Sequence, residues 1–180
     1  MEKPKINYQE IDAGIRDLVR LLNEVPFLAT ESSCEGHLKY NIGPAYAYPG
    51  HAFIDSGHIM FWLDNSYTST ELFLHDLTHL VKQYDFLDLR EHHCYKGKDC
   101  SIDGIKHLDL GHLDLTHVDT IKDSDTLETM IKKRRQVPEH VGEKRIAEYA
   151  QVWHELAEIA RRYAPNPAPV SATPSANSNI

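Results

Sequence analysis

HAFIDSGHIMFWLD, residues 51 to 64, sets two runs of strand-forming residues on either side of a Ser56-Gly57 pair. Two such runs around a turn dipeptide predict a β-hairpin. In that register Asp55 faces His58, Ile54 faces Ile59 and Ala52 faces Phe61. Apolar groups fall on both faces, so the hairpin is expected inside a sheet that is covered from both sides. An ion pair between Asp55 and His58 across the strands would contribute ~0.5 kcal/mol.

Upstream, Asn7 with Glu10 three residues on reads as the N-cap pair of a first helix. Ile11, Ile15, Leu18 and Leu22 recur at helical spacing, with Leu21 beside them, and Pro26 ends the run. Phe27, Leu28, Ala29 and Thr30 read as a short buried strand running into Ser32-Ser33-Cys34-Glu35-Gly36-His37. The Gly43, Pro44, Pro49 and Gly50 region reads as a loop. Downstream, Thr68 and Glu71 predict a capping box for a second helix whose apolar stripe is Phe73, Leu77, Leu80, Val81 and Tyr84. FLDLREHHCY predicts a strand, YKGKDCSIDG a loop, and IKHLDLGHLDLTHV further strand.

The leucines of the last stretch change parity across Gly111. A bulge at Gly111-His112 is favoured over a turn, because a turn would set Asp109 against Asp114. Asp125 and Glu128 open another helix that breaks near Pro138. A final amphipathic helix carries Ile146, Tyr149, Ala150, Trp153, Ala157 and Ala160. The fold class expected is α+β: one domain over residues 1–163, with a mixed or antiparallel sheet packed against helices. Residues 164–180, rich in Pro, Ser and Ala, are expected to be a disordered tail.

The chain has 180 residues, 41% hydrophobic and 26% charged, as suits a globular domain. Its net charge of −8 argues against an extended basic surface for nucleic acid, although Lys132 to Arg135 and the Arg161-Arg162 pair are local basic runs. The first residues are too charged for a signal peptide, and no apolar run approaches a membrane span. Three cysteines, an odd number, predict reduced thiols and a cytoplasmic location. Twelve histidines invite a search for a site.

HDLTH, residues 75 to 79, has the spacing of a helical zinc motif with Asp in place of Glu. The helical wheel turns His75 and His79 away from the apolar stripe, so they read as surface residues. The Cys34-x-x-His37 turn is the stronger candidate. Gly36 lets backbone N–H groups approach a ligand closely. Cys34 and His37 suit a metal with further ligands, and His93 and Cys94 at the end of the FLDLREHHCY strand are the candidates to complete it. Alternatively His37 would lower the pKa of Cys34 and make it a nucleophile. The remaining reading is a plain strand end with a packed cysteine. Asp55 and His58 are further candidates for contact with a substrate, and His107, His112 and His117 read as mainly exposed.

Residues 15 to 37, IRDLVRLLNEVPFLATESSCEGH, resemble the start of the tRNA wybutosine-synthesis methyltransferase family, which acts on 4-demethylwyosine with S-adenosylmethionine. Leu21, Leu22 and Asn23 match that family's helix end, Thr30 its strand threonine, and Ser32, Ser33, Cys34 and Gly36 its turn. Glu35 stands where the family has serine and His37 where it has arginine, which removes a permanently charged fork. Glu91, His93 and Cys94 are similar to a later strand of the family, without its proline and spacing. The resemblance implies an enzyme acting on RNA or a nucleotide-like small molecule. Ser33, Cys34 and His37 would be the catalytic residues, with Ser32, Gly36, Asp55 and His58 around the substrate. S-adenosylmethionine would be the cofactor by this resemblance, and zinc by the metal reading. A non-enzymatic interaction module working through its acidic surface and tail is the other expectation.

Overall fold

A computed structural model describes residues 3–40, 50–92, 105–110 and 136–165. The echo after Leu110, the basic run 132–135, the helix expected from Asp125, His93, Cys94 and the tail beyond residue 165 lie outside them. The fold is α+β, as the sequence predicts, with two antiparallel sheets rather than a mixed one. Among the described residues the helices are α1 (Arg16–Glu24), α2 (Ser69–Val81) and α3 (Glu139–Tyr163). The strands are β1 (Leu28–Cys34), β2 (His37–Lys39), β3 (His51–Asp55), β4 (His58–Leu63), β5 (Leu87–His92), β6 (Ile105–Leu110) and β7 (Gln136–Pro138). The larger sheet has the order β1-β4-β6-β5 and the smaller β2-β3-β7.

The hairpin expected at Ser56-Gly57 does not form. β3 pairs with β2 and β7, whereas β4 pairs with β1 and β6. The type I′ turn common in two-residue hairpins needs positive φ at both central residues. Among the described residues the glycines with positive φ are Gly36 (φ +89) and Gly50 (φ +72), and Gly57 is not one of them. Gly57 serves close packing instead. A Cβ there would lie 2.7 Å from the Trp153 ring and 2.8 Å from the Glu35 carbonyl oxygen. β1-β2 and β3-β4 therefore form one long antiparallel ribbon bent at Glu35-Gly36 and Ser56-Gly57. Cys34 pairs with His58 on one side of the bend, and His37 pairs with Asp55 on the other. The Asp55–His58 pair is thereby lost, and Asp55 binds Lys39 Nζ at 2.5 Å.

Alternation along β4 decides which way the larger sheet faces. Ile59, Phe61 and Leu63 are buried, while His58, Met60 and Trp62 are half-buried. One face thus joins the core fully and the other only in part. The core combines α1 (Leu18, Val19, Leu22), α2 (Phe73, Leu77, Leu80) and α3 (Tyr149, Val152, Trp153, Leu156) with strand residues such as Leu28, Ile59, Phe61 and Leu108. Each such side chain, fully buried, contributes about 1.5–3 kcal/mol. The smaller sheet packs Ala52, Ile54 and Val137 towards α3.

Local signals hold where packing agrees with them. The α2 stripe is buried at Phe73, Leu77 and Leu80. The Thr68 box is not formed, however: Thr68 makes no side-chain cap bond, and Thr70 Oγ1 donates to the Asp64 carbonyl instead. Asn7 does cap, with its side chain taking the Gln9 N–H and donating to Glu10. What it caps is a 3-10 turn, Tyr8–Glu10, and α1 begins only at Arg16. The segment between them is bound by Glu35 of the bend, which takes the Gly14 N–H and gives its own N–H to Asp12. That tertiary contact replaces the first turn of the expected helix.

Candidate metal centre at the ribbon corner

Three hydrogen bonds hold Glu35 in place. Its N–H donates to Asp12 Oδ2 at 3.1 Å, and its carbonyl accepts from Trp153 Nε1 at 2.9 Å. One carboxylate oxygen, Oε2, accepts the Gly14 N–H at 2.6 Å. Next to it, Gly36 lies beneath Tyr149 of α3, so close that an added Cβ would sit 2.7 Å from the ring. The buried Tyr149 and Trp153 rings are the floor on which the corner rests.

This floor brings three potential ligands together. Atoms of Asp12, Cys34 and His37 all lie within 4.8 Å of one another, and each residue is half-buried. His37 Nε2 is 3.3 Å from Asp12 Oδ2, and His37 Nδ1 is 3.8 Å from Glu35 Oε1. In a tetrahedral zinc centre with bonds of about 2.0–2.3 Å, neighbouring ligand atoms stand roughly 3.3–3.8 Å apart. The observed cluster needs a contraction of about 1–1.5 Å at its widest, within the reach of side-chain rotations. A neutral imidazole, a thiolate and a carboxylate form a donor set suited to such an ion.

Burial is the main cause that pushes the Cys34 thiol above its ordinary pKa. The charge of Asp12 and its hydrogen bond act in the same direction, and the Gly36 N–H turned on the sulfur opposes them. A raised pKa leaves less of the thiol as the nucleophilic thiolate near neutral pH. A bound cation would reverse the balance, since it takes up the thiolate and releases the proton.

The other predicted residues scatter around this point. Ser32 Oγ and His58 Nε2 are hydrogen-bonded at 3.2 Å across β1 and β4. Ser32 and Ser33 line a hollow beneath Pro4–Ile11, with a volume of about 370 Å³. Gly36 and Glu35 instead line a groove of about 770 Å³ between α1 and α3, along with Arg20, Trp153 and Arg161. Ser33 and Gly36 therefore open on different hollows. Asp55 is engaged by Lys39, beyond the bend. His107 is half-buried rather than exposed, its ring edge-on to that of His58 at 5.5 Å. Asp109 does meet a like charge, but it is Asp88 of β5, with Arg90 as the intervening cation. His75 and His79 are exposed on α2, as the wheel predicts.

Asp12 and Glu35 were missed as members of the corner. Ile11, Ile15 and Leu18 keep a helical period through Asp12, and the one local sign against it is Gly14 inside that pattern. Asn23 and Thr30, which carry part of the family resemblance, bind each other. Asn23 Nδ2 donates to Thr30 Oγ1 at 2.6 Å and Asn23 Oδ1 accepts the Thr30 N–H at 3.0 Å, so the pair ties the end of α1 to β1. Among the described residues no helix is long and apolar enough to cross a membrane. Compared with family models, curated proteins and solved structures, the chain finds no match.

Proposed function

We propose that the ribbon corner binds a divalent ion of the zinc type through Asp12, Cys34 and His37, with the fourth position open to water or a substrate atom. The observation that carries this reading is the approach of three donors from two separate segments to within 4.8 Å. Three protein ligands with one open position is the arrangement of catalytic rather than structural zinc. There the ion would act as a Lewis acid and supply hydroxide near neutral pH. The residues of this chain would hold it, and the buried Tyr149 and Trp153 keep the holding frame rigid.

The test is a zinc titration of the chelator-stripped chain against a chromophoric competitor, with proton release followed in parallel. One ion per chain should bind and release the Cys34 proton. Cys34→Ala and His37→Ala should each weaken binding by at least about 100-fold, beyond the effect of losing an outer partner. Changing His75 and His79 together to Ala should leave affinity unaltered. Failure of the wild-type chain to bind, or an equal loss on changing the α2 histidines, would overturn the proposal.

A second reading follows the family resemblance: a transferase acting on RNA or a nucleotide-like small molecule with S-adenosylmethionine. It is favoured by the placement of Glu35 and Gly36 on the wall of the α1–α3 groove, whose volume suits a nucleoside-sized ligand. The same preparation separates the two readings. S-adenosylmethionine binding by the metal-free chain, weakened by changing Arg20 and Arg161 of that groove to Ala, would favour transfer chemistry over the metal.

A further inference from the structure

We infer that Glu35 is a positioning residue for this centre: its carboxylate fixes the ring of His37 so that Nε2 faces the ion. The inference rests on the metal reading and adds a residue outside the ligand set. His37 has its two nitrogens between two carboxylates, Nε2 towards Asp12 at 3.3 Å and Nδ1 towards Glu35 at 3.8 Å. Asp12 belongs to the converging donors, so the ion lies on the Nε2 side. Nδ1 then carries the proton and donates it to Glu35 Oε1 once the ring settles by about 0.6 Å into hydrogen-bond range. A carboxylate that accepts the second N–H of a metal-bound imidazole sets its tautomer and raises its basicity.

The fold puts unusual effort into placing this one side chain. Its backbone is held by Asp12 and Trp153, and its second carboxylate oxygen by the Gly14 N–H. A Cβ at position 14 would lie 2.1 Å from Glu35 Oε2. Glycine there is what allows the carboxylate to sit where it does. Asp55, the other acid in register with His37, is engaged by Lys39. Glu35 is left as the acid facing Nδ1.

Two variants reach the same contact by different routes. Glu35→Gln removes the charge, and Gly14→Ala displaces the carboxylate without altering its chemistry. Each should weaken zinc binding by about 10- to 100-fold. Because they break one contact, the double variant should be no weaker than either alone. In ¹⁵N spectra of the zinc-loaded wild type, His37 should be a single form protonated at Nδ1, and Glu35→Gln should blur that assignment. Wild-type affinity in Glu35→Gln, with zinc still bound by Asp12, Cys34 and His37, would overturn the inference while leaving the metal centre standing. A wild-type chain that binds no zinc would overturn both. Should Gly14→Ala fail to fold, the affinity and spectrum of Glu35→Gln decide alone.

Discussion

The ribbon corner and the middle of α2 both offer histidine with acid, and they differ in what surrounds those groups. On α2, His75, Asp76 and His79 have motif spacing along one helix, yet both imidazoles point to water. Asp76 has structural partners there: it accepts from the Tyr163 hydroxyl at 2.6 Å and pairs with Arg162 at 3.2 Å, tying the end of α3 to α2. At the corner, Cys34 and His37 share a short turn, and Asp12 from a separate segment is drawn to them over two buried rings. Convergence in space, imposed by a bend and its floor, makes the corner the candidate site. Regular spacing on an exposed helix brings no such convergence.

The hardest test of that contrast is to fill the space beneath the bend. Gly36→Val combines a positive φ with an intrusion on Tyr149, and should destabilise the protein by about 2–4 kcal/mol. That corresponds to a melting temperature lower by roughly 10 °C for a chain of this size. A near-wild-type melting temperature would show that the corner is loose. A smaller effect is expected of Trp153→Phe, which keeps an aromatic ring but leaves the Glu35 carbonyl without its indole donor. Denaturant unfolding should register a loss of about 1–2 kcal/mol.

The smallest change belongs to the tie between α3 and α2. Tyr163→Phe should cost about 0.5–1 kcal/mol at neutral pH, since Asp76 is partly open to water. Its pH signature has a definite sign. The Tyr163 hydroxyl, more than the Arg162 charge, lowers the pKa of Asp76 in the folded chain. Stability from this contact is therefore complete above the unfolded carboxylate value near pH 4 and fades as pH falls through the lower folded value. At the other limit, burial first and then the bond to Asp76 push the Tyr163 hydroxyl up to about 12. The same contact is then lost as pH rises from the free phenol range through that value. Stability curves of Tyr163→Phe should be flatter at both ends, and parallel curves would remove Asp76 as the tie.

Much of the chain was legible in one dimension. The stripe Phe73, Leu77, Leu80, the helix carrying Tyr149 and Trp153, the buried strand after Pro26 and the surface position of His75 and His79 all follow from periodicity. Those features depend on residues a few positions apart, where helical or strand geometry is the main determinant. Ser56-Gly57 predicts a turn from sequence because Ser-Gly suits a turn and a bend alike. The choice was made by Trp153, far away in sequence but in contact with the bend, whose ring occupies the space a side chain would need.

By itself, then, the order of residues determined the α+β class, the apolar faces of the helices and the nearness of Cys34 to His37 across one turn. Tertiary structure decided the rest: the split of one ribbon between two sheets, the start of α1 at Arg16, and the arrival of Asp12 and Glu35 beside His37. The reason is one of range. A periodic pattern records which side of an element avoids water, whereas a corner exists only when a distant aromatic floor and two glycines let backbones approach that a Cβ would hold apart.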